Sequence, residues 1–162
     1  MWIGAIRLVV RTEDKSFAGT DSLVQAVVLR DDEPLVTLNL DHSNADDLER
    51  GATDTFVYTS LPTRADKTPG NPPGVSTSLP PWPPGGMEFS DGLAGHLKLR
   101  LRIKGSDLWI KDAVALSIKQ FRVVPIDAWQ LDANWSAIGA WNQDVTMSTD
   151  MFEGSSEWLM AV

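Results

Sequence analysis

Seven residues, Leu97-Lys98-Leu99-Arg100-Leu101-Arg102-Ile103, alternate apolar and basic without a break. A period of two puts the four aliphatic side chains on one face and the cations on the other, whereas a helix would scatter both around its circumference. The segment reads as a strand with one buried face. The same spacing recurs after a Gly105-Ser106-Asp107 turn in Val114, Leu116 and Ile118, and earlier in Ile6, Leu8 and Val10. Leu23 to Leu29 is apolar at nearly every position, as expected of a strand covered on both faces. Leu35 to Leu40 alternates again after an Asp31-Asp32-Glu33-Pro34 turn, and Thr55 to Ser60 forms a further strand around Phe56 and Tyr58. No stretch before residue 125 repeats apolar residues at helical spacing for three turns; Ser43 to Leu48 alone could make a turn of helix. Short strands separated by turns every 8–12 residues predict an all-β protein, an antiparallel β-sandwich.

Two segments interrupt this plan. Residues 62–95 hold eight of the ten prolines and include Pro80-Pro81-Trp82-Pro83-Pro84, a composition that cannot continue a β ladder and predicts a long insertion loop. After Arg122 there is no Lys or Arg, but there are six acids and four of the seven tryptophans, Trp129, Trp135, Trp141 and Trp158. So much aromatic surface needs a cover, either the chain's own sandwich or a partner. For this tail Trp129, Leu131, Ala133 and Trp135 suit a strand, and Leu131, Trp135 and Ile138 suit a helix. The expected organisation is a sandwich over 1–124 and an acidic, Trp-rich C-terminal arm over 125–162.

The 162 residues carry a net charge of −8, which argues against neutralising many phosphates, so nucleic acid is not an expected partner. With no cysteine, disulfides and cysteine nucleophiles are excluded. No G-x-S-x-G elbow, phosphate-binding G-x-x-x-x-G-K-[ST] loop or H-E-x-x-H helix is present, and His42 and His96 are expected to be structural. The start, Met1-Trp2-Ile3-Gly4-Ala5-Ile6-Arg7, lacks the features of a signal peptide, and no apolar run reaches the length of a membrane span. The expectation is a non-enzymatic protein, cytoplasmic or part of a larger assembly.

Four motifs follow in order: the strand at Ile6–Thr12 with Gly19-Thr20-Asp21 after it, the stretch Glu49-Arg50-Gly51-Ala52-Thr53-Asp54-Thr55-Phe56, the Leu-and-basic strand, and Asp107-Leu108-Trp109. In this order, over about residues 4–60 and 95–122, the chain resembles the PLAT, or lipoxygenase-homology, domain family. The resemblance implies a sandwich of about eight strands that performs no chemistry and attaches an enzyme or assembly to a membrane or another protein, often with calcium. It implies calcium ligands at Gly19 and Thr20 through carbonyls and at Asp46, Asp47 and Asp107 through carboxylates, the hard oxygen set that calcium takes. Asp21 is a supporting group. Two positions before Gly19, where calcium-binding members tend to carry an acid, stands Phe17.

Strand alternation places Lys98, Arg100, Arg102 and Lys104 on one face, a surface for an acidic partner or anionic lipid headgroups, or for the chain's own acidic tail. Phe17, beside Lys15, reads as an apolar tip that could enter lipid or pack on its own loop. The proline-flanked Trp82 and the tail tryptophans Trp129, Trp135, Trp141 and Trp158 read as docking elements for a protein partner. The expected function is a binding module mediating protein–protein attachment within a larger assembly. The alternatives are a calcium-dependent peripheral lipid-binding domain and a carbohydrate-binding sandwich that uses exposed tryptophans as stacking platforms.

Overall fold

In a computed structural model of the chain, describing residues 2–41, 46–59, 87–89, 91–105, 107–124, 128–150 and 154–161, the alternating segment is the eight-residue strand β6 (Leu97–Lys104). Leu97, Leu99, Leu101 and Ile103 are buried, and Lys98, Arg100 and Arg102 are half-buried on the other face. The remaining strands are β1 (Trp2–Thr12), β2 (Leu23–Arg30), β3 (Glu33–Asn39), β4 (Thr53–Thr59), β5 (Met87–Glu88), β7 (Trp109–Val124), β8 (Ala128–Leu131), β9 (Ser136–Met147) and β10 (Glu157–Ala161). One sheet runs β10-β6-β2-β3. The other runs β4-β1-β7-β8, with β5 also on β1 and β9 also on β7, and every pairing between strands is antiparallel.

The two sheets close on one core, to which β1 gives Ile6, Leu8 and Val10, β2 gives Val24, Ala26 and Val28, β6 its four aliphatic residues, and β7 Val114, Leu116 and Ile118. Phe56 and Tyr58 of β4 and Trp109 of β7 complete it. The Trp109 Nε1–H donates to Thr12 Oγ1 at 3.0 Å, so the largest buried ring leaves no donor unmet. The fold is the expected all-β sandwich. The hairpin between β2 and β3 turns on Asp31 and Asp32, both at positive φ (51° and 73°), the primed geometry whose twist matches the flanking strands. Pro34 lies in the edge strand β3, where a missing N–H does least harm.

The expected arm does not stand apart. Residues 128–131 and 136–147 extend the six-stranded sheet along β7, and 157–161 form the edge of the other sheet along β6, so the sandwich continues to residue 161. Met147 and Met160 enter the core at 0% and 2% exposure, and Trp141 and Trp158 pack against it. Of the two courses open to the tail, it takes the chain's own sandwich as cover, as strands and not as a helix. The ring of Trp141 lies across Gly139, where a Cβ would stand 2.7 Å from its far edge, so a larger residue there would have to displace the ring. Of the proline-rich insertion, the stretch 60–86 with Trp82 lies outside the described residues. Its end returns to the sandwich as β5, followed by Phe89, 1% exposed in the core. The turn of helix considered at 43–48 falls partly outside the described residues, and Asp46 to Leu48 are not helical.

Candidate functional site

The register brings the described parts of four connections to one end of the sandwich: residues 13–22, 40–41 with 46–52, 105 with 107–108, and 148–150 with 154–156. All three segments in which the motifs occur are therefore neighbours, although the sequence separates them by up to about 90 residues. Backbone hydrogen bonds fasten them: Ile110 N–H donates to the Ala18 carbonyl at 3.0 Å, Thr20 N–H to that of Leu48 at 3.3 Å, and Thr12 N–H to that of Ala52 at 3.0 Å. Gly19 is pressed against the 48–50 segment so closely that a Cβ would meet the Arg50 nitrogen at 2.9 Å. Asp54 accepts from the Leu48 N–H at 2.9 Å and so stabilises a buried residue at positive φ (61°). The Arg50 of the motif reaches Asp14 at 2.8 Å.

Thr20, Asp46 and Asp47 line one cleft at this end, together with Asp21 and Asp41. Asp41 has no motif around it, which is why sequence reasoning passed over it. Asp107 is not part of the lining: its two carboxylate oxygens accept the Asp21 and Leu108 N–H groups, each at 3.0 Å, which ties the third loop to the first. Among the described residues no three of the cleft carboxylates converge as metal ligands. The convergent trio is Glu13, Asp112 and Asp144, with one oxygen of each within 4.8 Å of the others. There the Lys15 ammonium lies 2.8 Å from Asp144 and 3.9 Å from Glu13, and supplies the countercharge itself. Its hydrogen bond to Asp144 raises the Lys15 pKa and lowers that of Asp144. The cleft's oxygen-only donors suit calcium in kind, with Thr20, Asp46 and Asp47 as the expected ligands that face it. Burial, aided by the charges of Asp47 and Asp41, pushes the Tyr58 hydroxyl far above its usual range, so it stays a donor to the Asn39 carbonyl.

Beside the cleft, Phe17 stands at the tip of the 13–18 loop, 88% exposed and at positive φ (63°). Of the large apolar side chains exposed among the described residues, Phe17 and Leu23 belong to this end, and Leu159 lies on β10.

The basic row is largely occupied. Lys98 pairs with Asp32 at 2.6 Å, and Arg102 and Arg100 with Glu157 at 2.7 and 3.7 Å, so one acid of the tail lies beside two of the four cations; Lys104 is exposed. Opposite Lys98 and Arg100 on β2 are Leu29 and Val27, buried although they face away from the inter-sheet core, and these give the aliphatic stems an apolar bed. Trp158 faces the opposite way, its ring 3.9 Å from the buried Lys111 ammonium. Trp135 is half-buried and contacts Arg7 and Lys119; Trp129 belongs to β8, and its side chain lies outside the described residues. His96 is held by Asp31 at 2.6 Å, at the other end of the molecule, and His42 lies outside the described residues.

No family model matches the chain, and no curated protein sequence does. Solved structures share its fold. A lipoxygenase deletion variant superposes with a TM-score of 0.52 at 11% identity, over 98% of this chain and 16% of the lipoxygenase. A lipoxygenase solved with arachidonate gives 0.51 at 11% identity over the same shares, and the alpha toxin from Clostridium absonum gives 0.50 at 14% over 91% of this chain and 32% of the toxin. The chain thus spans 16% of the lipoxygenase and 32% of the toxin, and what it shares with them is the β-sandwich fold.

Proposed function

We propose that this chain is a non-catalytic attachment module that seats the loop end of its sandwich on a lipid surface, with calcium as the bridge. Phe17 carries the reading. A phenylalanine held fully in solvent in a backbone region that its side chain disfavours is a feature stabilised by something other than its own packing. Around its base the cleft is acidic, with Asp21, Asp41, Asp46 and Asp47, and would repel anionic headgroups. A calcium ion held by Thr20, Asp46 and Asp47 would neutralise the two carboxylates that hold it, halve the cleft's negative charge and leave coordination positions for phosphate oxygens. Likeness to lipoxygenase and toxin domains supports a binding module of this type at the level of fold.

The test is co-sedimentation with phosphatidylcholine vesicles containing phosphatidylserine, in calcium and in chelator. Binding in calcium that falls at least about tenfold for Phe17→Ser and for Asp46→Asn with Asp47→Asn supports the reading. Equal binding by wild type and Phe17→Ser removes it. A protein partner is the second reading, favoured by Leu159, 48% exposed on β10, whose outer side pairs with no strand among the described residues and can accept another.

A further inference from the structure

Among the described residues the four-stranded sheet ends at β3 on one side and at β10 on the other, and β9 borders the six-stranded sheet. A bordering strand invites another strand unless the sequence blunts it with proline, bulges or charge. β3 carries Pro34 and a register shift against β2, and β9 has two register shifts against β7. β10 has neither device. Its five residues run in unbroken register along β6, from Glu157 opposite Arg102 to Ala161 opposite Lys98. The Ile103 N–H donates to the Ser156 carbonyl at 3.0 Å, so by antiparallel alternation Ser156, Trp158 and Met160 turn their backbone groups to β6, and Glu157, Leu159 and Ala161 turn theirs outward. The Ser155 hydroxyl bonds both outward groups of Glu157, its carbonyl at 2.8 Å and its N–H at 3.3 Å. Those of Leu159 and Ala161 meet no strand among the described residues. On the outer face the Leu159 side chain stands 48% exposed between Glu157 and Ala161.

We propose that this edge pairs with itself: β10 of a second copy of this chain adds antiparallel to β10, with Leu159 on the two-fold axis. Complementarity selects the occupant and the register. Leu159 is the middle residue of the strand, so centring there uses all five residues, lets the two Leu159 backbones exchange both N–H···O bonds and brings their side chains together. Glu157 then stands opposite Ala161 of the second copy. Beyond that small side chain lies Lys98 of the second copy, which also holds Asp32, so the acidic end of one strand meets the cationic end of the other. The half-buried Trp158, facing inward beside the open edge, gains cover from the added strand. The contact is isologous, closes on itself and joins two four-stranded sheets into one. Antiparallel pairing turns the two loop ends in opposite directions and leaves both Phe17 tips outside the contact.

The test is sedimentation velocity of the full chain from about 1 to 200 µM, in about 0.15 M salt to screen the repulsion between two chains of net charge −8, with Leu159→Lys and Leu159→Glu beside the wild type. Three results together support the pairing: the wild type passes from monomer to dimer over this range, each charged variant dimerises at least about tenfold more weakly, and an equal mixture of the two variants dimerises again. Restoration in the mixture requires the two side chains to meet across the axis. A dimer undiminished in both variants, or a folded mixture no better than its parts, overturns it. Should a charged variant lose its cooperative melt, Leu159→Ser decides, and a dimer it leaves unweakened overturns the pairing. A wild type monomeric at every concentration also overturns it. The pairing rests on the protein-partner reading of β10, and amide exchange at Leu159 in the dilute monomer tells the two failures apart: fast exchange leaves the edge open to an extended segment of another protein, and slow exchange removes that reading as well. No lipid enters the experiment, so the lipid reading stands or falls separately.

Discussion

Lys111 is a lysine with no exposed surface, its ammonium donating to the Gln143 carbonyl of β9 and lying over the Trp158 ring of β10. Burial lowers its pKa from 10.5 to about 8, partly opposed by the charges of Asp112 and Asp144. Between those two values the unfolded chain binds more protons than the folded one, so this group makes stability rise with pH from about 8 towards 10.5. Below about 8 both states hold the proton, and the group no longer makes stability vary with pH. The expected outcome is a wild-type unfolding free energy that gains on the order of 1–2 kcal/mol over this window relative to Lys111→Met, checked by urea melts at matched ionic strength. Phe17 carries the opposite kind of cost. Its left-handed backbone is one that asparagine tolerates, so Phe17→Asn should raise stability by roughly 0.5–1 kcal/mol in the same melts while it abolishes vesicle binding.

The strands that alternate most cleanly were the legible ones: Leu97 to Ile103 and Val114 to Ile118 each face the core as the period of two demands. The tail was harder to read because Leu131 and Trp135 fit a strand with Trp129 and Ala133 and a helix with Ile138, and only pairing with β7 decides between them. Its depth in the fold was invisible for a related reason: nothing local tells that Met147 and Met160 fill core positions left open by strands 30 to 60 residues earlier. Of the site, the spacing of motifs gave the loops, and the structure adds Asp41 to the cleft and withdraws Asp107 into a tie between loops. Arg7 and Lys119 could not be linked in advance, because their adjacency exists only in the register of β1 on β7. An arm standing outside a sandwich over 1–124 would be dispensable for folding, but here the tail supplies strands of both sheets. Without β8, β9 and β10 the edge of β6 and the apolar contacts of Met147, Met160 and Trp158 are lost, so the truncated chain should show no cooperative melt and no dispersed amide NMR spectrum.

At the scale of the molecule, charge and apolar surface are sorted by position. The loop end holds the acid-lined cleft and Phe17, the outer face of the four-stranded sheet holds the basic row with its own counter-ions, and the outer face of the other sheet holds Arg7 and Lys119 against the Trp135 ring. Attachment through the loop end therefore leaves the basic row a structural part. Arg100→Glu with Arg102→Glu should loosen β10, costing about 1 kcal/mol and speeding amide exchange at Trp158 and Met160, with vesicle binding unchanged. Loss of vesicle binding in a double variant whose stability is intact would move the attachment surface to that face.

The strand at the middle of the larger sheet is the first one made. β1 bonds on one side to β4, some 50 residues later, and on the other to β7, more than 100 residues later. Its hydrogen-bonding edges thus stay open until distant chain arrives, and the loop-closure entropy must be met before that sheet repays it. Such a topology belongs with slow, high-contact-order folding on the millisecond-to-second scale, during which the apolar face of Ile6, Leu8 and Val10 and the unpaired edges of β1 are open to other chains. Refolding yield that falls with protein concentration is the behaviour this arrangement confers, however stable the finished sandwich is.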